Sequence, residues 1–220
     1  MKFFLDSAIT EEIRYALEFY HIDGVTTNPR HVQASGKPFL KVIREIAKLV
    51  EGTEKTVSVE VNPHYMTAEE ILPEAEKLAA ISPNFVIKLQ CVEGAFKAIP
   101  ILAKQGIRVN CTLIFSASQA LQAMRCGAYY ISPFIGWKES NGEEVRSFIE
   151  DIVAMRDNFD FRSEIIVAAV RNGRQIVDSA VAGADIVTAG LAVYKEAFEH
   201  PFTRDGIKRF TDFWDKTPYE

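Results

Sequence analysis

Short runs rich in β-branched and aromatic residues recur eight times along this chain, each followed by a longer segment with apolar residues at helical spacing. That alternation constrains the fold most, because parallel strands need crossover connections and these are usually helices. The runs are FFLD from Phe3, GVTTN from Gly24, TVSVEV from Thr56, FVIKLQ from Phe85, RVNCTLIF from Arg108, YYISPF from Tyr129, EIIVAAV from Glu164 and DIVTAG from Asp185. Thr67 with Glu70 and Ser116 with Gln119 fit capping boxes that open helices just after strands. Gly127 and Gly183 stand where a left-handed residue ends a helix before the next strand.

Eight such units can close into a (β/α)8 TIM barrel or remain an open, doubly wound sheet. Closure is favoured because no Gly-rich phosphate fingerprint follows the first strand. Polar residues also recur late in the strands: Asp6, Asn28, Glu60, Lys88, Asn110 with Thr112, and Ser132. In a barrel these converge on the C-terminal mouth, where active sites of this architecture sit. A length of 220 residues with 48% hydrophobic content suits one α/β domain over residues 1–220. After the eighth unit, residues 201–216 place Ile207, Phe210, Phe213 and Trp214 on one helical face. That face is expected to pack on the barrel or on a neighbouring subunit.

Composition excludes several classes of partner. The net charge of -5 is spread along the chain without a basic block, so neither nucleic acid nor a membrane surface is an expected partner. The first residues reach Asp6 after only three apolar side chains, unlike a signal peptide, and no segment approaches the roughly 20 apolar residues of a membrane span. A soluble, cytoplasmic protein is expected. Cys91, Cys111 and Cys126 show neither CxxC spacing nor a neighbouring His, as befits reduced thiols. A metal-dependent mechanism would need clustered imidazoles, but His21, His31, His64 and His200 are scattered and none falls in an expected strand. No metal or cofactor is expected.

Lys88 carries the chemistry. It interrupts an apolar strand, so its amine is expected among apolar walls, where burial without a fixed counterion favours the neutral form. Enzymes tune such amines to about 7 or 8 so that they can attack a ketone and form an imine. A lysine snorkelling out of a strand end is the plain alternative. Its companions weigh against that. Asp6 is placed to exchange the proton of a substrate hydroxyl, Glu60 to protonate a carbinolamine through a water, Thr112 to hold that water, and Asn28 and Asn110 to donate to substrate hydroxyls.

FFLDSA, GVTTNPR, VSVEV, VIKLQ, NCTLIFSASQAL, GAYYISPFIG and AGADIVT resemble, in order and over essentially the whole chain, segments of the small transaldolase and fructose-6-phosphate aldolase family. The resemblance implies a (β/α)8 barrel, Lys88 as the imine-forming residue, Asp6 as acid/base, and Glu60 with Thr112 and a water as proton relay. It also implies substrate contacts from Thr26, Asn28, Asn110, Ser132 and Phe134, no cofactor, and homo-oligomers as rings of five paired into decamers. Members that release free dihydroxyacetone carry Gln and Tyr where this chain has Glu60 and Phe134, so its choices resemble those of a true transaldolase.

The chain leaves the family pattern at the anion site. SPFVGR has become SPFIGW, with Trp137 in place of the usual Arg; Ala169 replaces a usual Ser; Arg171 is kept; and Arg30 and Lys138 add cations nearby. These charges are either solvated loop residues or a relocated site. An indole donor with a relocated guanidinium suits a sulfonate, which carries one charge where a phosphate monoester carries nearly two. The pattern resembles the sulfosugar branch, whose members cleave 6-deoxy-6-sulfofructose to sulfolactaldehyde and transfer dihydroxyacetone to glyceraldehyde 3-phosphate. The alternatives are a fructose-6-phosphate transaldolase or aldolase and, from another class, a non-catalytic barrel that binds a sugar anion.

Overall fold

In the computed structural model, which describes residues 1–220, every one of the eight runs forms a strand. They are β1 Lys2–Asp6, β2 Gly24–Thr26, β3 Thr56–Glu60, β4 Phe85–Gln90, β5 Val109–Ile114, β6 Tyr130–Pro133, β7 Glu164–Val170 and β8 Ile186–Ala189. Each pairs in parallel with its sequence neighbours, and β1 closes on β8 from Lys2↔Ile186 to Leu5↔Ala189. The result is a (β/α)8 TIM barrel. β2 is shorter than GVTTN because Asn28 leaves the sheet to cap the helix Pro29–Ala34, accepting from the His31 amide at 3.0 Å.

Local signals agree with the tertiary structure. Gln119 accepts from the Ser116 amide at 3.1 Å and donates its own amide to the Ser116 hydroxyl at 3.2 Å, and Glu70 accepts from the Thr67 amide at 3.0 Å. Gly127 and Gly183 close their helices at φ 87° and 90°, where a side chain would be strained.

Strand alternation divides the interior in two. One face of each strand points outward and packs beneath the helices with Ile43, Ile46, Ile71, Leu89, Ile99 and Ile165 in a continuous apolar layer. The other face points into the barrel, where Phe4, Val86, Tyr130, Ile166 and Ile186 form a separate plug. β5 and β7 each shift register near their C-terminal ends, and there Leu113 and Ala169 both adopt φ 59°. Non-glycine residues in that region store on the order of 1–3 kcal/mol, so the surrounding barrel over-determines these two bends.

The helix Pro201–Trp214 follows the last barrel helix and buries none of its residues. Phe202 is 78% and Phe210 74% exposed, with Ile207, Phe213 and Trp214 also open. Of the two expectations for this face, packing on its own barrel is not what the structure contains. No helix is long and apolar enough to cross a membrane.

Candidate active site

Two residues beyond the apolar plug, the same strands supply the floor of a cavity of about 370 Å³ at the C-terminal mouth, a size suited to a small ligand. Asp6 follows Phe4, Lys88 follows Val86, Ser132 follows Tyr130, and Thr188 follows Ile186, each pointing inward as the period of two requires. Glu60, Thr112, Thr26 and Asn28 join them from β5 and the β2–β3 side, and Phe134, Trp137, Arg30 and Arg171 form the rim.

Lys88 is 4% exposed. Its ammonium lies 3.3 Å from Glu60 Oε2 and donates to the Thr27 carbonyl at 3.0 Å. The expectation of an amine without a fixed counterion is therefore corrected. β3 and β4 pair Glu60 directly opposite Lys88, so the register itself places a carboxylate beside the amine. Removing either member of a buried pair of this kind leaves the other as an uncompensated buried charge.

Asp6 is held from two sides: Oδ1 accepts from the Thr26 hydroxyl at 2.8 Å and Oδ2 lies 3.0 Å from His31 Nε2. Thr26 is in turn 2.6 Å from Thr188. Burial pushes the Asp6 carboxyl up, but the hydrogen bond and charge of His31, with Lys88 and Thr26, outweigh it and hold the group below its ordinary value. Thr112 Oγ1 is buried in the same cavity and finds no hydrogen-bond partner within the protein, leaving its hydroxyl available to a ligand.

Two expected contacts sit elsewhere. Asn110 is wholly buried beneath the cavity rather than lining it, donating to Ser58 Oγ at 3.0 Å and accepting from Ser132 at 2.7 Å. It anchors Ser132, which does line the mouth. Lys138 is turned away: its ammonium is held by Glu143 and by the Phe115 carbonyl at 3.1 Å. The helix Ile135–Ser140 carries Trp137 and Lys138 on adjacent positions, which cannot face the same way.

On the rim, Trp137 is 53% exposed and lies 5.7 Å from both Phe115, on which it stacks, and Phe134, which it meets edge-on. Gly136 lets the helix Ile135–Ser140 lie against β7, since a Cβ there would come within 2.1 Å of the Ala169 carbonyl. Arg171 donates to the Ser140 hydroxyl, and neither Arg171 nor Arg30 has a carboxylate partner. Both guanidiniums border the cavity with their charge uncompensated.

Sequence reading missed His31 and Thr188. His31 was set aside as lying outside any strand, yet it stands three residues after the cap Asn28, where the first helical turn faces the mouth. Thr188 was visible as a hydroxyl late in β8, the same signal that marked Ser132. No group of three His, Cys, Asp or Glu side chains is arranged to hold a metal ion. Cys91, Cys111 and Cys126 are unpaired thiols.

Comparison with known proteins agrees with this geometry. The barrel superposes on thiamine phosphate pyrophosphorylase from Pyrococcus furiosus with a TM-score of 0.63 at 12% identity, covering 89% of this chain and 93% of that one, a likeness of fold alone. A 6-deoxy-6-sulfo-D-fructose transaldolase of Priestia megaterium is 54% identical over all of this chain and 98% of its own length. A probable transaldolase of Dictyoglomus turgidum is 42% identical over 99% of this chain and its full length. The family model for Transaldolase/Fructose-6-phosphate aldolase matches residues 3–217, and the chain belongs to that family as an enzyme of the transaldolase type.

Proposed function

We infer that Lys88 forms the imine of this transaldolase and that the donor is a ketose with a terminal sulfonate, 6-deoxy-6-sulfofructose. The observation that carries the chemistry is the buried Lys88–Glu60 pair, 3.3 Å apart, in one cavity with Asp6. Glu60 takes the ammonium proton, and the freed amine adds to the donor's C2 carbonyl. The same proton, passed through a water held by Thr112, leaves with the carbinolamine hydroxyl and yields the imine.

Asp6 then removes the proton of the C4 hydroxyl. The C3–C4 bond breaks, its electron pair moves to the imine nitrogen as an enamine, and C4 departs as the aldehyde sulfolactaldehyde. Glyceraldehyde 3-phosphate takes its place, the enamine carbon attacks its carbonyl, and protonated Asp6 returns its proton to the new hydroxyl. Hydrolysis of the imine releases fructose 6-phosphate. Thr26, Asn28 and Ser132 orient the sugar hydroxyls, Asn110 acts from beneath by holding Ser132, and Phe134 with Trp137 shields the imine from bulk water.

The sulfonate assignment is supported by the rim. Arg30 and Arg171 offer two uncompensated cations, Trp137 offers an indole N–H, and Ala169 offers no hydroxyl. The name of the Priestia relatives supports it independently. A transfer assay with both donors tests it: preference for sulfofructose is expected, and equal or better turnover of fructose 6-phosphate overturns it in favour of an ordinary transaldolase. Borohydride reduction in the presence of donor should fix a ketose on Lys88; absence of any adduct removes the imine mechanism and favours a barrel that only binds sugar anions.

The exposed apolar face of the helix Pro201–Trp214 supports a homo-oligomer in which that helix lies on a neighbouring copy, as rings of five or pairs of rings. The reaction is placed in the cytoplasm, in keeping with three unpaired thiols. Light scattering of the purified protein measures the oligomer directly, and a monomer there removes it.

A further inference from the structure

The buried Lys88–Glu60 pair leaves a problem at its neighbour. Asp6 must stay ionised to act as base in cleavage, yet it lies in a cavity where burial favours its neutral form. The Lys88 cation favours the charged carboxylate, but its ammonium sits 3.3 Å from Glu60 and donates to the Thr27 carbonyl rather than to Asp6. Thr26 can donate only one proton, and its oxygen is also within 2.6 Å of Thr188, so it supplies a single neutral hydrogen bond to Oδ1. The second carboxylate oxygen needs a donor of its own.

His31 occupies that place. Its Nε2 lies 3.0 Å from Asp6 Oδ2, the two side chains are about equally exposed at 25% and 22%, and both line the cavity. The imidazole is fixed at its base, because the His31 amide is bonded to the Asn28 cap. We propose that His31 is a positioning residue for Asp6, donating from Nε2 to fix the carboxylate's orientation and keep it ionised until the substrate proton arrives. The inference rests on the acid/base assignment of Asp6 above and extends it to a residue outside the strands.

Its consequence for the reaction is specific to transfer. Between departure of one aldehyde and arrival of the next, Asp6 holds the substrate's proton. The His31 Nε2–H donates to Oδ2 whether Asp6 is ionised or protonated, so the orientation survives the interval. The other charged groups facing Asp6 across the cavity are Lys88, which favours its charged form, Glu60, Arg30 and Arg171, with the Tyr194 phenol behind the strands.

The test compares the full-length enzyme with His31→Leu and His31→Gln, using sulfofructose as donor and glyceraldehyde 3-phosphate as acceptor. His31→Leu should lose roughly tenfold in kcat with little change in KM, a fraction of the 10² to 10⁴ typical of acid/base groups. The acidic limb of its kcat/KM profile should move to higher pH, because Asp6 loses a partner that favours its charged form. His31→Gln, whose amide can donate in place of the imidazole, should recover most of that rate. Unchanged kcat and an unmoved acidic limb in His31→Leu overturn the inference, as does a rise in KM alone, which would make His31 a substrate contact. Borohydride adducts separate the two readings: if the wild-type protein forms none, the imine assignment fails and this one with it, whereas normal adducts with an unaltered variant sink only the role of His31.

Discussion

Two layers inside the barrel, separated by two residues along the same strands, have opposite character. Phe4, Val86, Tyr130, Ile166 and Ile186 form an apolar plug, whereas Asp6, Lys88, Ser132, Ala168 and Thr188 form the floor of the cavity. A strand rises about 3.3 Å per residue, so one period of two moves roughly 7 Å and returns to the same face. Both layers are fixed by the same closed ladder of backbone bonds. The lower one contributes packing and the upper one spends it, since a lysine, a glutamate and an aspartate held together at low exposure require a scaffold that does not relax.

The contrast can be broken from either side. Lys88→Ala should remove the borohydride adduct and lower turnover by about 10⁴-fold or more, while thermal unfolding shows the barrel intact; residual adduct at another lysine would show that the upper layer is not the nucleophile's home. Asp6→Asn should keep the adduct but slow carbon-carbon cleavage by about 10²- to 10⁴-fold, which single-turnover trapping resolves from imine formation. From below, Phe4→Ala should cost about 3–5 kcal/mol in denaturant unfolding through cavity formation, with adduct formation retained well below its melting temperature. If instead it destroys activity without loss of stability, the two layers are not separable.

Smaller effects sharpen the boundary. Arg171→Ala and Trp137→Ala should raise KM for an anionic donor about tenfold, or roughly 1.4 kcal/mol, and leave kcat nearly unchanged. The least effect lies in stability against pH. Asp6 is depressed below its ordinary 3.8 in the folded chain, so its stabilising contribution is present above that pH and drains away as pH falls through the lower folded value. Asp6→Asn should flatten that part of the melting-temperature profile below pH 4, and an unchanged profile would mean His31 and Lys88 do not hold the carboxylate in solution.

The period of two explains what could be read in advance. It assigns each residue to a face of its strand, so Asp6, Glu60, Lys88, Thr112 and Ser132 were recognisable as inward groups near strand ends. It does not assign depth. Asn110 shares their face but lies beneath the cavity because closure of the barrel staggers β5 against β3 and β6, bringing it onto Ser58 and Ser132. Nor does it speak for loops: Lys138 and Trp137 are adjacent in sequence, and only the helix Ile135–Ser140 turns one to Glu143 and the other to the mouth.

What the sequence determined by itself is the eightfold order of strands and helices, with the caps and glycines that bound them, because these depend on local periodicity and backbone preference. It also carried the likeness to a lysine-imine family. Tertiary structure alone decided that Glu60 is the counterion of Lys88, that His31 reaches Asp6, and that the helix Pro201–Trp214 leaves its aromatic face uncovered. The first two distances join residues 28 and 25 positions apart in the chain. They exist only because parallel pairing brings the end of one strand beside the end of the next, or beside the helix that follows it, which no local pattern encodes.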